Sequence, residues 1–308
     1  MQASSHSANA PQLDSRRTTV CLYHNDPDGC CAAAVVRRAL GPYHAFVVME
    51  IGEAVPWEQI EAAQQVVLVD FSLPTEDMLR LRDGWEFVWV DHHKTALARL
   101  GEAMTSVPGV RCIDEAACVL TWQTFFPGQP VPKAVLYVGD RDIWRNAFSQ
   151  TPAFCEGLYQ LDFAPTNDDL WQPLLDDDAA LVAELIERGA ILHQARLKQI
   201  ARVASNHGFE TTFEGHRTLA INDRGSGDMG EYIRRAGYEI GYCYAEVVRD
   251  GRLQTIVTLY SDQLDVSEIA RKYGGGGHAG AAGFQFVRTD RPFPAGSETS
   301  PGGQPDVD

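Results

Sequence analysis

The triplet Asp91-His92-His93 is the most specific candidate for chemistry in the sequence. It closes the apolar segment EFVWVD, which is typical of a buried β-strand. Adjacent side chains of an extended chain point in opposite directions, so we expect the two histidines to have different partners. One would bind a metal ion, and the other would reach a substrate phosphate. The alternative is a polar loop that contains two histidines by chance.

The segment HNDPDG at residues 24–29 lies between a predicted strand and an Ala-rich predicted helix. Its ligand groups, His24, Asp26 and Asp28, alternate along the chain, which predicts that they share one side of an extended turn. Imidazole together with carboxylates suits a Mn²⁺-like ion, and Mg²⁺ is the alternative for an all-oxygen site. The competing interpretation is an acidic turn that caps the following helix.

Two further carboxylates are weaker candidates when each is taken alone. Asp70 ends the apolar segment QVVLVD, a position that suits either an active site or the start of a helix. Asp140 follows a predicted helix over residues 132–139 and could complete a second metal site. The alternative for the sequence Gly139-Asp140-Arg141-Asp142 is a helix C-terminus followed by a salt-bridged loop.

Four consecutive glycines, Gly274–Gly277, precede His278 between a predicted helix and a predicted strand. Ordering so many glycines is costly, so the position predicts a use for their backbone. We expect several backbone N–H groups of this segment to bind an anion such as a phosphate. His278 would supply one more donor. A flexible linker is the alternative.

Strands and helices alternate over the first half of the chain, which predicts an α/β fold with a mostly parallel sheet covered on both faces. In such sheets ligands bind beyond the carboxyl ends of the strands. Asp70, Asp91 and the group from His24 to Asp28 each follow a predicted strand, so we expect their carboxylates to converge on one crevice. A smaller α/β domain follows after a long helical segment.

The length of 308 residues favours two domains. We predict a disordered leader at 1–17, a catalytic domain at 18–175, a bridging helix at 176–208, a substrate-binding domain at 209–288 and a disordered tail at 289–308.

The composition is that of an ordinary globular protein, with 44% hydrophobic and 22% charged residues. No apolar run approaches the roughly 20 residues needed to cross a bilayer, and the N-terminus lacks the apolar segment of a secretory signal. Seven cysteines without a CxxC pair favour a reducing compartment, so we expect a cytoplasmic protein. The net charge of −16 leaves two interpretations open. The substrate is a short polyanion, or cations neutralise many of the carboxylates.

In this order the motifs resemble the DHH phosphoesterase superfamily, from Val20 to about Val287. The superfamily includes RecJ-like exonucleases, nanoRNases and hydrolases of cyclic-dinucleotide products, inorganic pyrophosphatases and exopolyphosphatases. The segment DVSEIARKYGGGGHAGAAGF resembles the DHH-associated substrate domain. One departure concerns Cys30, which stands where nanoRNase-like members often have a carboxylate. The first motif is therefore closer to the exonuclease-like and archaeal-like members.

The resemblance implies a two-metal phosphoesterase with two divalent ions, Mn²⁺ or Mg²⁺, acting on a short oligonucleotide or a phosphorylated nucleotide. Asp70 would bridge the ions, His93 would contact the scissile phosphate, and Asp91 would orient a histidine. Gly276, Gly277 and His278 would hold a terminal phosphate. We expect no membrane association and allow for a homodimer. The implied metal ligands are His24, Asp26, Asp28, Asp70, His92 and Asp140.

Two other functions remain alternatives. One is an exopolyphosphatase or pyrophosphatase, which the glycine-His motif disfavours because those members usually carry a different C-terminal domain. The other is a non-catalytic nucleotide-binding module, which we would expect to have lost metal ligands. All six implied ligand positions are occupied here.

Overall fold

The computed structural model describes residues 13–50, 52–249 and 252–288 of the chain. These residues divide into two compact units, with the boundary between His193 and Gln194. Residues 1–12 of the predicted leader and the whole predicted tail, 289–308, lie outside the described residues. At the end of the predicted leader, Arg17 N–H donates to the carbonyl of Asp14, and the Arg17 guanidinium pairs with Glu86.

The first unit is built on a four-stranded, fully parallel sheet with the strand order β2-β1-β3-β4. This confirms the predicted α/β fold. Its elements are β1 (Thr19–His24), α1 (Pro27–Leu40), β2 (Ala45–Met49), α2 (Trp57–Glu61), β3 (Gln65–Val69), α3 (Thr75–Gly84), β4 (Glu86–Val90), α4 (Lys94–Leu100), α5 (Ala117–Phe125), α6 (Lys133–Asp142), α7 (Thr151–Leu158) and α8 (Asp168–Leu175).

Both faces of this sheet are buried, which explains why its central strands read as continuous apolar runs. Along β3, Val67 and Val69 pack into a core shared with α1, α5 and α6. The alternating residues Val66 and Leu68 pack into a second core on the other face, with α3 and α4. The sheet is therefore held between two helical layers, and its strand ends are fixed in position.

The second unit contains a six-stranded mixed sheet with the order β5-β6-β7-β8-β10-β9. Only β6 and β7 are parallel among its described pairs. The unit boundary falls within the long helix α9, which occupies the region of the predicted bridging helix. The predicted domain limits themselves stay a prediction. The elements are α9 (Ala179–His207), β5 (Gly208–Phe213), β6 (His216–Asn222), α10 (Gly227–Arg235), β7 (Ile240–Arg249), β8 (Arg252–Tyr260), α11 (Val266–Lys272), β9 (Gly276–His278) and β10 (Ala281–Val287).

The two faces of the second sheet are covered unequally. The C-terminal part of α9 and α10 pack on one face, where Ile200, Ile221 and Ile233 share a core. On the other face α11 covers part of the sheet, with Ile269 packed near Val257. The rest of that face is lined by aromatic side chains that form a groove.

Within the described residues, every helix is too short or too polar to traverse a lipid bilayer.

Candidate metal centre

Asp70 lies at the middle of the candidate site, directly after β3. Its backbone is left-handed, with φ of 55°, and its N–H donates to the carbonyl of Val90 on the neighbouring strand. The side chain is 1% exposed, yet neither carboxylate oxygen has a hydrogen-bond partner among the described residues. Burial, followed by the charge of Asp28, raises the pKa of Asp70 well above its usual value. A strained backbone and an unsatisfied buried carboxylate together mark a functional position.

His24 and Asp26 approach Asp70 from the end of β1. His24 Nδ1 lies 2.8 Å from Asp26 Oδ2 and 3.7 Å from Asp70 Oδ2. Asp26 also caps α1, because its other oxygen accepts the N–H of Gly29. Asp26, and after it Asp70, raise the pKa of His24 to about 10.

Gly29 permits this arrangement through a close approach of two backbone segments. A Cβ at this position would lie 2.2 Å from the carbonyl oxygen of His24. Only glycine therefore lets α1 start so near the end of β1. The predicted extended turn is replaced by a strand end at His24, a helix cap at Asp26 and a first helical turn at Asp28.

A second group of ligand atoms surrounds Nε2 of His92. This nitrogen lies 3.3 Å from Asp70 Oδ1, 3.5 Å from Asp142 Oδ2 and 3.8 Å from Asp28 Oδ2. Burial, followed by the charge of Asp28, raises the pKa of Asp142 well above its usual value. Asp142 Oδ2 has no hydrogen-bond partner among the described residues. The groups around His24 and around His92 meet at Asp70.

Asp28 is fixed by the N-terminus of α5. Its two carboxylate oxygens accept the N–H groups of Ala117 and Cys118 at 2.8 and 2.9 Å. A carboxylate at this end of a helix is stabilised by the helix dipole. Burial nevertheless raises the pKa of Asp28. The two hydrogen bonds therefore hold the buried carboxylate of Asp28 beside His92.

Asp91 holds the two histidines in place and does not itself reach the ligand atoms. Its Oδ1 accepts the backbone N–H of His92, the backbone N–H of His93 and Nδ1–H of His93, at 2.8, 3.1 and 2.8 Å. Burial is the largest single influence on the pKa of His93 and lowers it. The hydrogen bond to Asp91, together with the negative charges of Asp91 and Asp70, outweighs burial, so the pKa is raised. His93 remains about one third exposed, so it faces the open side of the centre.

Asp140, predicted as a ligand, is directed away from the centre. Its carboxylate accepts the N–H of Ala147 at 2.8 Å, the N–H of Phe148 at 3.3 Å and the hydroxyl of Thr151 at 2.5 Å. It therefore ties the loop after α6 to the start of α7. Asp142 takes the expected position beside His92.

The length of α6 explains why Asp142, and not Asp140, lies beside His92. The sequence predicted that α6 ends at Gly139, whereas the helix continues to Asp142. Residues two apart in an α-helix lie about 200° apart around its axis, so Asp140 and Asp142 cannot share a face. The second acid of the Asp140-Arg141-Asp142 sequence was the signal that could have identified Asp142.

The second half of the glycine segment in the second unit lies in a strand. Gly276–His278 form β9, which pairs antiparallel with β10. Gly274 and Gly277 have φ of 79° and 140°, and a Cβ on Gly275 would lie 2.0 Å from the carbonyl oxygen of Gly283. Local geometry thus explains these three glycines. A Cβ on Gly276 would meet nothing within 4 Å, so no steric contact in the described residues requires glycine there.

The cluster in the first unit has the donor set of a divalent-cation site. Five of the six predicted ligands come together there, joined by Asp142. The cluster contains three sets of three residues. In each set every residue offers one ligand atom, and these atoms lie within 4.8 Å of one another. Carboxylate oxygens together with imidazole nitrogens suit Mn²⁺, and Mg²⁺ to a lesser degree. The three sets are His24, Asp26 and Asp70; Asp28, His92 and Asp142; and Asp70, His92 and His93.

A viral protein is similar to this chain in sequence. No family model matches the sequence. The uncharacterized protein R106 of Acanthamoeba polyphaga mimivirus is 28% identical over 237 residues, which cover 72% of this chain and 53% of that protein, about half its length.

Two solved structures are similar to this chain over most of its length. The DHH domain of a member of a ribosomal protein family is 15% identical with a TM-score of 0.54, and the match covers 88% of this chain and 83% of that one. A pGpG-specific phosphodiesterase from Vibrio cholerae is 14% identical with a TM-score of 0.47, covering 88% and 93%. The first of these likenesses, together with the parallel sheet and its strand-end centre, shows that the chain has the fold of the DHH superfamily.

Proposed function

We propose that the protein is a metal-dependent phosphoesterase that hydrolyses short oligonucleotides or phosphorylated nucleotides with two divalent cations. The observation that carries the proposal is Asp70. Its two buried oxygens have no hydrogen-bond partner in the part of the chain that the structure describes, and they face two separate groups of ligand atoms. Concentrating buried carboxylates in this way is unfavourable unless cations compensate the charge. The fold shared with a DHH domain supports the same function.

The ligands divide between the two cations around Asp70. His24 and Asp26 would hold one ion with Asp70, and Asp28, His92 and Asp142 would hold the other with Asp70. Two ions at such a centre lower the pKa of water and offset charge on a phosphoryl group, and Mn²⁺ or Mg²⁺ can do both. Asp70 fixes the separation of the two groups because it belongs to both.

His93 is the residue we assign to the substrate. Its Nδ1 is held by Asp91 at 2.8 Å, so the opposite edge of the ring, with Nε2, is directed away from Asp91. The raised pKa of His93 favours the protonated ring, which would offset negative charge on the phosphate undergoing attack. Asp91 is then a positioning residue, and Gly276, Gly277 and His278 remain our proposal for binding a terminal phosphate.

Hydrolysis by protein stripped of metal and resupplied with Mn²⁺ tests the proposal. The substrates are a dinucleotide, single-stranded DNA, 3′-phosphoadenosine 5′-phosphate and polyphosphate. We expect turnover of at least one nucleotide substrate, and none by the Asp70→Asn variant. No turnover of any substrate would refute the enzyme and favour a nucleotide-binding module. Turnover of polyphosphate alone would replace the proposal with a polyphosphatase.

A further inference from the structure

The second unit carries an aromatic groove that the metal centre does not use. The groove has a volume of about 370 Å³ and lies on the sheet face that α11 only partly covers. We define the aromatic groove by Phe209, Phe213, Tyr242, Tyr244, Phe286 and Thr255. Phe209 and Phe286 are 52% and 46% exposed, which is unusual for side chains so large and apolar.

Strand register places all these side chains on one face. Phe209 pairs with Ala220, Ala220 with Tyr242, and the strands continue through Thr255 to Phe286. Four strand spacings separate β5 from β10, about 19 Å in total. An aromatic face on a four-stranded sheet can stack two or three unpaired bases, so this width suits several bases.

Four of the five rings are connected by ring contacts, directly or through Phe284, which lies 6.3 Å from Tyr242. Phe213 meets Tyr242 edge-on with centroids 5.0 Å apart, and Tyr242 lies 6.1 Å from Tyr244. Phe284 stacks with Phe286 at 6.4 Å. Rings packed against one another lose little conformational entropy when a flat ligand stacks on them, which favours binding of planar groups.

Thr255 contributes a buried hydroxyl group to the groove. The residue is 5% exposed, and its hydroxyl oxygen is buried with no hydrogen-bond partner among the described residues. A buried hydroxyl without a hydrogen bond is unfavourable unless a ligand forms that hydrogen bond. A purely apolar occupant would leave this hydroxyl unsatisfied, whereas a nucleobase offers both a flat face to the rings and hydrogen-bonding edges.

The charge of the second unit does not oppose a polyanion. Residues 194–288 contain 12 Lys and Arg and 11 Asp and Glu, so their net charge is +1, compared with −16 for the whole chain. The negative charge thus resides outside this segment. Arg288, paired with Glu246, lies at the edge of the groove.

We propose that the aromatic groove binds unpaired bases of single-stranded nucleic acid. Bases stack on the exposed rings of Phe209 and Phe286, and the hydroxyl of Thr255 bonds one base edge. This site is separate from the proposed hydrolysis, because stacking on the groove needs no metal ion.

Binding of a fluorescent deoxythymidine oligomer of about ten nucleotides to the full chain in EDTA tests the proposal, with anisotropy as the readout. EDTA prevents metal-dependent hydrolysis, so failure of the proposed enzyme would leave this result unaffected. We expect the double variant Phe209→Ala/Phe286→Ala to bind about tenfold more weakly or worse. Val287→Ala is the matched control, since Val287 is 51% exposed on the opposite face of the same strand, and it should bind as wild type does.

Two further measurements test whether the protein holds the bases themselves and not only the phosphate backbone. An abasic oligomer of equal length should bind at least about tenfold more weakly, because it lacks the stacking groups. Thr255→Val should weaken binding about three- to tenfold without lowering the melting temperature, because it removes an unsatisfied hydroxyl and keeps the side-chain shape.

Three outcomes would overturn the proposal. They are no binding by the wild type, equal binding of the abasic oligomer, and equal binding by the folded double variant. If that variant also changes from dimer to monomer in light scattering, the face is an interface between copies of this chain.

Discussion

Oδ1 of Asp70 lies 3.3 Å from Nε2 of His92, and the two residues follow the neighbouring parallel strands β3 and β4. The parallel register brings these strand ends to the same edge of the sheet, and the positive φ of Asp70 turns its side chain towards the next strand's histidine. The candidate centre therefore depends on backbone geometry that few residue types can adopt.

Replacing Asp70 with asparagine should separate metal binding from folding. Asparagine has nearly the same size and tolerates a left-handed backbone, so we expect the variant to fold. It should lose hydrolysis and the rise in melting temperature that Mn²⁺ produces. Its metal-free form should be more stable than wild type by on the order of 1 kcal/mol, because a buried like charge is gone. Turnover close to wild type would show that Asp70 is not a ligand.

Asp140 and Asp142 should show opposite defects when each is changed to alanine. Asp142→Ala should lose Mn²⁺ affinity with little loss of metal-free stability, since Asp142 faces the centre. Asp140→Ala should keep Mn²⁺ affinity but lose about 2–4 kcal/mol of unfolding free energy, because its carboxylate accepts three hydrogen bonds in the first unit. Calorimetric metal titration and urea unfolding measure the two quantities. The reverse pattern would restore Asp140 as the ligand.

Gly29 should tolerate no side chain. In Gly29→Ala the new Cβ would meet backbone atoms of His24, which cannot move without displacing the end of β1. We expect a fall in stability of about 1–3 kcal/mol and weaker Mn²⁺ binding.

Gly84→Ala is the control for Gly29→Ala. Gly84 ends α3, and a Cβ there would meet nothing within 4 Å. Alanine should leave the free energy of unfolding unchanged or raise it by up to about 1 kcal/mol, and the melting temperature should stay the same or rise. Equal effects of the two substitutions would remove the steric argument for Gly29.

Metal binding should release protons. Burial raises the pKa of Asp70 and Asp142, and the neighbouring carboxylates raise that of His24 to about 10, so the metal-free centre holds protons that cations displace. Mn²⁺ affinity should therefore rise with pH between 6 and about 10. Calorimetry in two buffers of different ionisation enthalpy detects the released protons. Heats that are equal after correction for dilution would contradict the prediction.

The same pKa shifts set the sign of metal-free stability against pH. The folded-state pKa of Asp70 and Asp142 lies above the unfolded value, so their contribution is present below pH 3.8 and is lost as pH rises through the raised pKa. His24 acts in the same direction, since its contribution is lost as pH rises from 6.5 through about 10. The free energy of unfolding of metal-free wild type should thus fall as pH rises, and it should fall less in Asp70→Asn.

The strand ends were predictable from sequence because apolar runs that stop at an acid are strong local signals. Asp70 and His92 come together as those signals imply. Asp142 was missed because helix ends are weakly encoded: α6 runs three residues past Gly139. The role of Asp28 in capping α5 was also missed, since Ala117 is 89 residues away along the chain.

The second unit was harder to predict. The glycines of residues 274–277 were predicted to bind an anion, and that stays a prediction. Nothing in the sequence indicated that Gly276 and Gly277 would lie in a strand, β9, paired with β10. The aromatic groove gave no local signal, because Phe209 and Phe286 lie on strands far apart in sequence. Their common face follows from the strand order, which composition alone does not encode.

The central claim is a centre in which Asp70 joins two cations that act together. It is tested most directly by adding Mn²⁺ stepwise to metal-free protein and measuring the hydrolysis of a nucleotide substrate that the protein turns over. The protein concentration is kept well above the dissociation constant for Mn²⁺. We expect little activity up to one equivalent per chain, a steep rise between one and two, and a plateau at two. A plateau at one equivalent, or no activity at any level of Mn²⁺, would contradict the two-cation centre.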